Sequence, residues 1–188
     1  AVANYVSALS DNVGLVTFLG KANPQEEFIS KNMDPKIQTS FLYMDDDAPT
    51  IVKRRYVEHY PPQKLFEVYV MGVEESDISE TEALCAKLKG ILPQYDVVIV
   101  ADYGHGMLGP EAVEVLCSQA RFLAVNTQVN AGNGGFNTVS KYRRADFICV
   151  SENEIRLDVR SRRRDLRDIV EGIGKKLSCQ RIVVTQGQ

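Results

Sequence analysis

A carboxylate beside a run of glycines is the first place where chemistry could occur. Asp102-Tyr-Gly-His-Gly-Met-Leu-Gly109 follows the apolar stretch Asp96–Ala101 and precedes a helical pattern at Pro110–Arg121. Its last six residues match the spacing G-x-G-x-x-G, in which glycines let the backbone approach a pyrophosphate at a helix N-terminus. Two residues oppose dinucleotide binding. Asp102 would bring negative charge near that pyrophosphate, and Asn126 ends the next strand where an acidic group for ribose hydroxyls belongs. An NAD-dependent enzyme is therefore an alternative only. The loop itself stays a candidate ligand site, because parallel α/β sheets bind ligands at their carboxyl edge.

Ser151-Glu152-Asn153-Glu154 has two readings. One is a capping box, with Ser151 as N-cap and Glu154 three positions on. The other is an acidic cluster at a strand's carboxyl end, suited to holding hydrated Mg²⁺ or nucleotide phosphates through water. One Ser and one Glu can serve both. Lys53 and Arg55 lie in an alternating stretch that puts both on one face, suiting an anionic substrate or a solvent-facing stripe. Gly132-Asn-Gly-Gly135 lacks the Gly-Lys-Ser/Thr ending of a phosphate loop and reads as a flexible turn. Asp45-Asp-Asp47 reads as a loop tip. Arg160-Ser-Arg-Arg-Arg164, with Arg167, lies beside Asp158, Asp165 and Asp168 and reads as a solvated, self-paired surface. A nucleic-acid site there is a further alternative.

The elements that must position these residues follow from periodicity. Ala1–Leu9 reads as a helix, Asn12–Leu19 as a strand closed by Gly20, and Pro24–Asn32 as a short helix. Pro49–Glu58 and Lys64–Met71 alternate apolar and polar residues around Tyr60-Pro-Pro62, the pattern of a hairpin with one solvated face. A small antiparallel β lid is expected over residues 39–72. Beyond Asp77, helices at Glu80–Leu92, Pro110–Arg121 and Asp165–Ser178 alternate with strands at Asp96–Ala101, Phe122–Asn126, Asp146–Val150 and Arg181–Thr185. That alternation predicts a three-layer α/β fold with a parallel sheet.

Composition excludes several classes. The 188 residues are 44% hydrophobic and 25% charged, which fits a globular chain and not a disordered one. A net charge of −3 opposes general nucleic-acid binding, and no apolar run has the length of a membrane span. Four cysteines without a C-x-x-C pair predict reduced, packed thiols and a cytoplasmic setting. The chain opens at Ala1 inside a helical pattern and ends at Gln188 just past an apolar strand, as expected of an excerpt from a longer protein.

Together these segments resemble the ribokinase-like (PfkB) carbohydrate kinases, most of all the heptose-phosphate kinase domain that in some bacteria is joined to an adenylyltransferase. Ala3-Asn4 resembles the end of the Gly-Gly-x-x-Asn substrate motif, and Thr50-Ile-Val-Lys-Arg-Arg55 the lid strand Thr-x-x-Lys-x-Arg. Asp102-Tyr-Gly-His-Gly106 resembles Asp-Tyr-x-Lys-Gly, and Ser151-Glu-Asn-Glu154 the Asn-x-x-Glu segment. His105 replaces a Lys, Asn126-Thr-Gln128 stands where heptose-type kinases carry Asp-Pro-Lys, and Ser151 replaces an Asn. The resemblance implies ATP-dependent phosphorylation of a sugar or sugar phosphate. Asn4, Lys53, Arg55 and Asp102 would serve the substrate, and Ser151, Glu152, Asn153 and Glu154 the nucleotide, with Glu154 ordering Mg²⁺ through water. It also implies a homodimer through the lid, and a fused nucleotidyltransferase domain. The Gly-Ala-Gly-Asp motif that supplies the family's base and anion hole is absent from these residues. They alone are expected to be inactive; a non-catalytic sugar- or nucleotide-binding module is the remaining alternative.

Overall fold

The computed structural model describes residues 1–44, 48–72 and 78–187, which form two compact units, Ala1–Glu80 and Thr81–Gln188. Asp45-Asp-Asp47, expected as a loop tip, lies outside the described residues.

In the first unit, helix α1 (Val2–Ser7) precedes strand β1 (Val13–Gly20), helix α2 (Glu26–Lys31) and strand β2 (Ile37–Met44). β1 and β2 pair in parallel, from Val13 opposite Ile37 to Gly20 opposite Met44. Among the described residues the antiparallel lid is thus narrower than residues 39–72: β3 (Val52–Glu58) and β4 (Gln63–Val70) form it, around a cis Tyr60–Pro61 bond. The Gly20 N–H donates to the Thr50 hydroxyl (3.0 Å) where the chain returns toward the hairpin. A Cβ at Gly20 would collide with the backbone of Ala48–Thr50, so glycine is the residue that permits this crossing.

The second unit contains most of helix α3 (Ile78–Ile91), then β5 (Val98–Asp102), α4 (Pro110–Gln119), β6 (Leu123–Thr127), β7 (Phe147–Ser151), α5 (Glu152–Asp158), α6 (Leu166–Lys176) and β8 (Ile182–Thr185). The four strands form a parallel sheet in the order β5-β6-β7-β8. Alternate residues build its core: Val100, Leu123, Val125, Ile148 and Val150 are buried with Val113 and Leu116 of α4, Ile155 of α5, and Ile169 and Ile173 of α6. The intervening residues, including Ile99 and Val183, are more exposed.

Local sequence sets the helix starts. Pro110 opens α4 behind Gly109, and Asp165 caps α6 by accepting from the Arg167 N–H (2.8 Å). All four cysteines are free thiols. Cys117 and Cys179 are buried, whereas Cys85 and Cys149 are half-buried; burial holds the Cys85 and Cys179 thiols above the usual range.

Candidate active site

Because β5–β8 are parallel and adjacent, their ends at Asp102, Thr127, Ser151 and Thr185 share one edge, with the loops that follow. Asp102 is the most enclosed acid there, with 3% of its surface exposed. One carboxylate oxygen accepts from the Gly104 N–H (3.0 Å) and the Asn137 amide (3.2 Å). The other meets the Tyr142 hydroxyl (2.7 Å) and the Lys141 ammonium (2.5 Å). Burial, then the neighbouring Asp102 charge, push the Tyr142 phenol well above its ordinary range, so it stays a neutral donor. Lys141 neutralises the charge that opposed dinucleotide binding. The objection from Asn126 stands, since its amide is bonded to the Cys149 carbonyl (2.7 Å).

The glycine-rich segment after β6 is a turn, as its composition implied, and side-chain amides fasten it. The Asn133 amide donates to the Tyr103 (2.9 Å) and Gln128 (2.8 Å) carbonyls, and its oxygen accepts from the Asn130 and Gly135 N–H groups (both 3.1 Å). The Asn130 oxygen accepts from Gly132 N–H (2.9 Å) and lies 3.4 Å from His105 Nε2. Asn137 donates to the Asp102 carbonyl (2.9 Å) and accepts from Lys141 (2.9 Å), which also donates to the Leu108 carbonyl (3.2 Å). Loops 103–109 and 128–138 are thus fastened to each other and to Asp102. Asn130, Asn133, Asn137, Lys141 and Tyr142 escaped the sequence reading. For the three asparagines the one signal was their recurrence in and beside a glycine-rich stretch, where Asx turns form; Lys141 and Tyr142 gave none.

At the end of β7 the capping-box reading of Ser151–Glu154 is the one the geometry displays. The Glu154 N–H donates to the Ser151 hydroxyl (3.3 Å), and Glu154 Oε2 accepts from the Ser151 N–H (2.7 Å), which is a complete capping box. Glu154 Oε1 accepts from the Val129 N–H (3.2 Å), so this acid also joins the β7 end to the β6 loop. Glu152 accepts from Gln186 and Arg156 (both 2.7 Å), and these bonds, Gln186 first, hold its carboxyl below the usual range. Asn153 is exposed. Among the described residues no three His, Cys, Asp or Glu side chains gather as a metal cage. Both Glu154 oxygens are engaged by backbone N–H groups, so a Mg²⁺ held by this carboxylate would be met through water and not directly.

The remaining sequence-derived residues lie in the first unit. The Asn4 amide donates to the Asn32 carbonyl (2.8 Å) and its oxygen accepts from the Asp34 N–H (3.2 Å), tying α1 to the α2–β2 loop. Lys53 and Arg55 share one face of the hairpin, as alternation required, and converge on Glu67 of β4 at 3.6 Å and 2.5 Å. Lys64 joins them at 3.2 Å, and Lys53 lies 4.8 Å from the Tyr69 ring centre. The Arg55 hydrogen bond, ahead of the lysines, lowers the Glu67 carboxyl to about 2. Three cations around one carboxylate leave this face net positive. Two of the three acids expected to pair with Arg160–Arg167 have other partners: Asp158 accepts from Ser140 (2.8 Å) and Asp165 caps α6.

Sheet order and strand-end loops define an α/β fold with a small antiparallel lid, shared with sugar kinases of known structure. Phosphofructokinase-2 from Escherichia coli, in a tetrameric inhibited form, superposes with a TM-score of 0.73 at 13% identity, over 99% of this chain and 60% of that one. Ribokinase from Giardia lamblia gives 0.67 at 18% identity, over 93% of this chain and 56% of that one. The pfkB family carbohydrate kinase pattern matches residues 1–188, and the chain belongs to that family. Its curated relatives include the Bifunctional protein HldE of Chromohalobacter salexigens, 29% identical over 149 residues, and that of Azotobacter vinelandii, 32% identical over 100 residues. These matches cover 78% and 53% of this chain but only 29% and 19% of the relatives.

Proposed function

We propose that the protein transfers the terminal phosphoryl group of Mg·ATP to a hydroxyl of a sugar or sugar phosphate. The family match over all 188 residues carries this reading. The strand-end geometry supports it by gathering segments 102–109, 127–138 and 151–154 at one edge. In this reading Ser151, Glu152, Asn153 and Glu154 face the nucleotide, and Glu154 orders Mg²⁺ through water. Asn4 exchanges its bond to the Asn32 carbonyl for a substrate hydroxyl, and Lys53 and Arg55 attract the anionic end of the substrate. Asp102 shapes the sugar side. ATP bound with Mg²⁺ supplies the phosphoryl group and neutralises its charge.

His105 replaces a fixed cation, whereas Asn126–Gln128 lose an Asp and a Lys together, so a substrate slightly less anionic than a heptose phosphate fits this reading. The lid presents Tyr56 stacked on Phe66 (4.4 Å) beside exposed Val68 and Val70, an apolar face that supports a homodimer through this hairpin. The bifunctional relatives support a second, nucleotidyl-transferring domain in the longer protein, and free thiols accord with a cytoplasmic setting. The test is sugar-dependent ADP release, measured over a panel of sugars and sugar phosphates. The protein as its cell produces it is expected to show turnover, while these 188 residues alone bind Mg·ATP without it. Absence of any sugar-dependent turnover by the intact protein, with NAD bound in place of Mg·ATP, would replace this reading.

A further inference from the structure

Arg160, Arg162, Arg163, Arg164 and Arg167 place five guanidinium groups within eight residues, all exposed, between α5 and the first turn of α6. The backbone beneath them is held in place. Arg156 donates to the carbonyls of Arg164 (2.9 Å) and Arg162 (3.4 Å), the Ser161 N–H donates to the Arg156 carbonyl (3.0 Å), and the Arg164 N–H donates to the Ser161 hydroxyl (3.3 Å). None of the five arginines joins an ion pair among the described residues. Residues 160–168 carry five cations against Asp165 and Asp168, a net of +3 on a chain whose net charge is −3. Arg156 also bonds Glu152, and Glu152 bonds Gln186 just past β8. One side chain therefore separates the arginine loop from the strand-end segment 151–154.

We propose that this loop is a binding site for a polyphosphate chain, either the phosphates of a nucleotide or a free polyphosphate. Guanidinium groups grip phosphate oxygens with paired hydrogen bonds, and several on a fixed backbone offer them without ordering a mobile loop. The N-terminus of α6 is not the seat, since the Asp165 carboxylate already fills it. A positive loop at the rim of a carboxyl-edge site also speeds the arrival of anionic ligands. The nucleotide half of this inference rests on the kinase reading; the anion site does not.

The test compares the wild-type chain with R162Q/R163Q/R164Q, whose exposed side chains can change without touching the core, and with K175Q/K176Q as a control for general charge. Binding of tripolyphosphate and of Mg·ATP is measured by calorimetry at low and high salt. The arginine variant is expected to lose roughly tenfold or more in tripolyphosphate affinity, with a flatter salt dependence, while the lysine control is unchanged. A parallel loss for Mg·ATP identifies a nucleotide's phosphates as the ligand; an unchanged Mg·ATP affinity identifies free polyphosphate. Tripolyphosphate binding without any Mg·ATP binding would keep the anion site and remove the nucleotide reading. No tripolyphosphate binding by the wild type, equal affinity in the arginine variant, or equal loss in the lysine control would overturn the proposal.

Discussion

Replacing Asp102 by Asn tests whether the fastening of the two loops depends on a buried charge. The substitution preserves shape. One amide oxygen can still accept from Gly104 and Asn137, but the amide nitrogen would face the Lys141 ammonium and the Tyr142 hydroxyl. Tyr142 can rotate its hydroxyl and accept; Lys141 has no such option. Breaking a buried ion pair typically costs about 3–5 kcal/mol. Here the cost is reduced, because the Lys141 side chain is 28% exposed and keeps Asn137 and Leu108 as acceptors. A loss of about 2–3 kcal/mol follows, which lowers the melting temperature of a chain this size by roughly 5–10 °C. Thermal unfolding should be followed through amide exchange at Val100–Asp102, so that the second unit reports on itself. Amides of Gly104 and Asn133–Asn137 should lose protection before the sheet does. A melting temperature within about 2 °C of wild type, with those amides still protected, would refute the charge's role in holding the loops.

Four further outcomes are expected. Glu154→Gln leaves one oxygen for the Ser151 and Val129 N–H groups, costing about 1 kcal/mol in thermal stability, and weakens ATP binding only when Mg²⁺ is present. Gly104→Ala places a Cβ 2.5 Å from Asn137 Cβ in a backbone with φ of +67°, and should cost at least about 1–3 kcal/mol in denaturant unfolding. The Glu67 carboxyl carbon should titrate near 2 by NMR, below its ordinary 4.5. Since the folded midpoint is depressed, its pairing with Arg55 is fully present above about pH 4.5 and is lost as pH falls through 2; a midpoint near 4 contradicts the pairing. Lys53→Gln with Arg55→Gln should raise KM for an anionic sugar in the intact kinase while leaving KM for ATP unchanged.

Much of the architecture was legible because local rules and the final packing agree. The apolar runs at β5 and β6 are buried on alternate residues, and Ser151 and Glu154 form the capping box their spacing specifies. The pattern of Ile37–Met44 does not name a partner, so sequence alone does not separate it from the lid; pairing with β1 makes it a parallel strand. The Lys53–Arg55 face was legible from alternation, but Glu67 was not, since cross-strand register sets which acid meets them. The Asp102 network was hidden for the same reason: Lys141 and Tyr142 lie about 40 residues downstream, and only tertiary folding brings them to the β5 end. The turn at Gly132–Gly135 was legible from its glycines, but the side-chain amides that fasten it were not, since their partners Tyr103 and Gln128 lie outside it.

The central claim is that the edge bearing Ser151–Glu154 is the nucleotide side of a sugar kinase. Amide chemical-shift mapping with Mg·ATP and, separately, NAD tests it most directly. Mg·ATP-dependent shifts are expected at Thr127–Val129, Ser151–Glu154 and Thr185–Gly187, reduced by Glu154→Gln. Shifts confined to Gly104–Gly109 on adding NAD, with none from Mg·ATP, would contradict it.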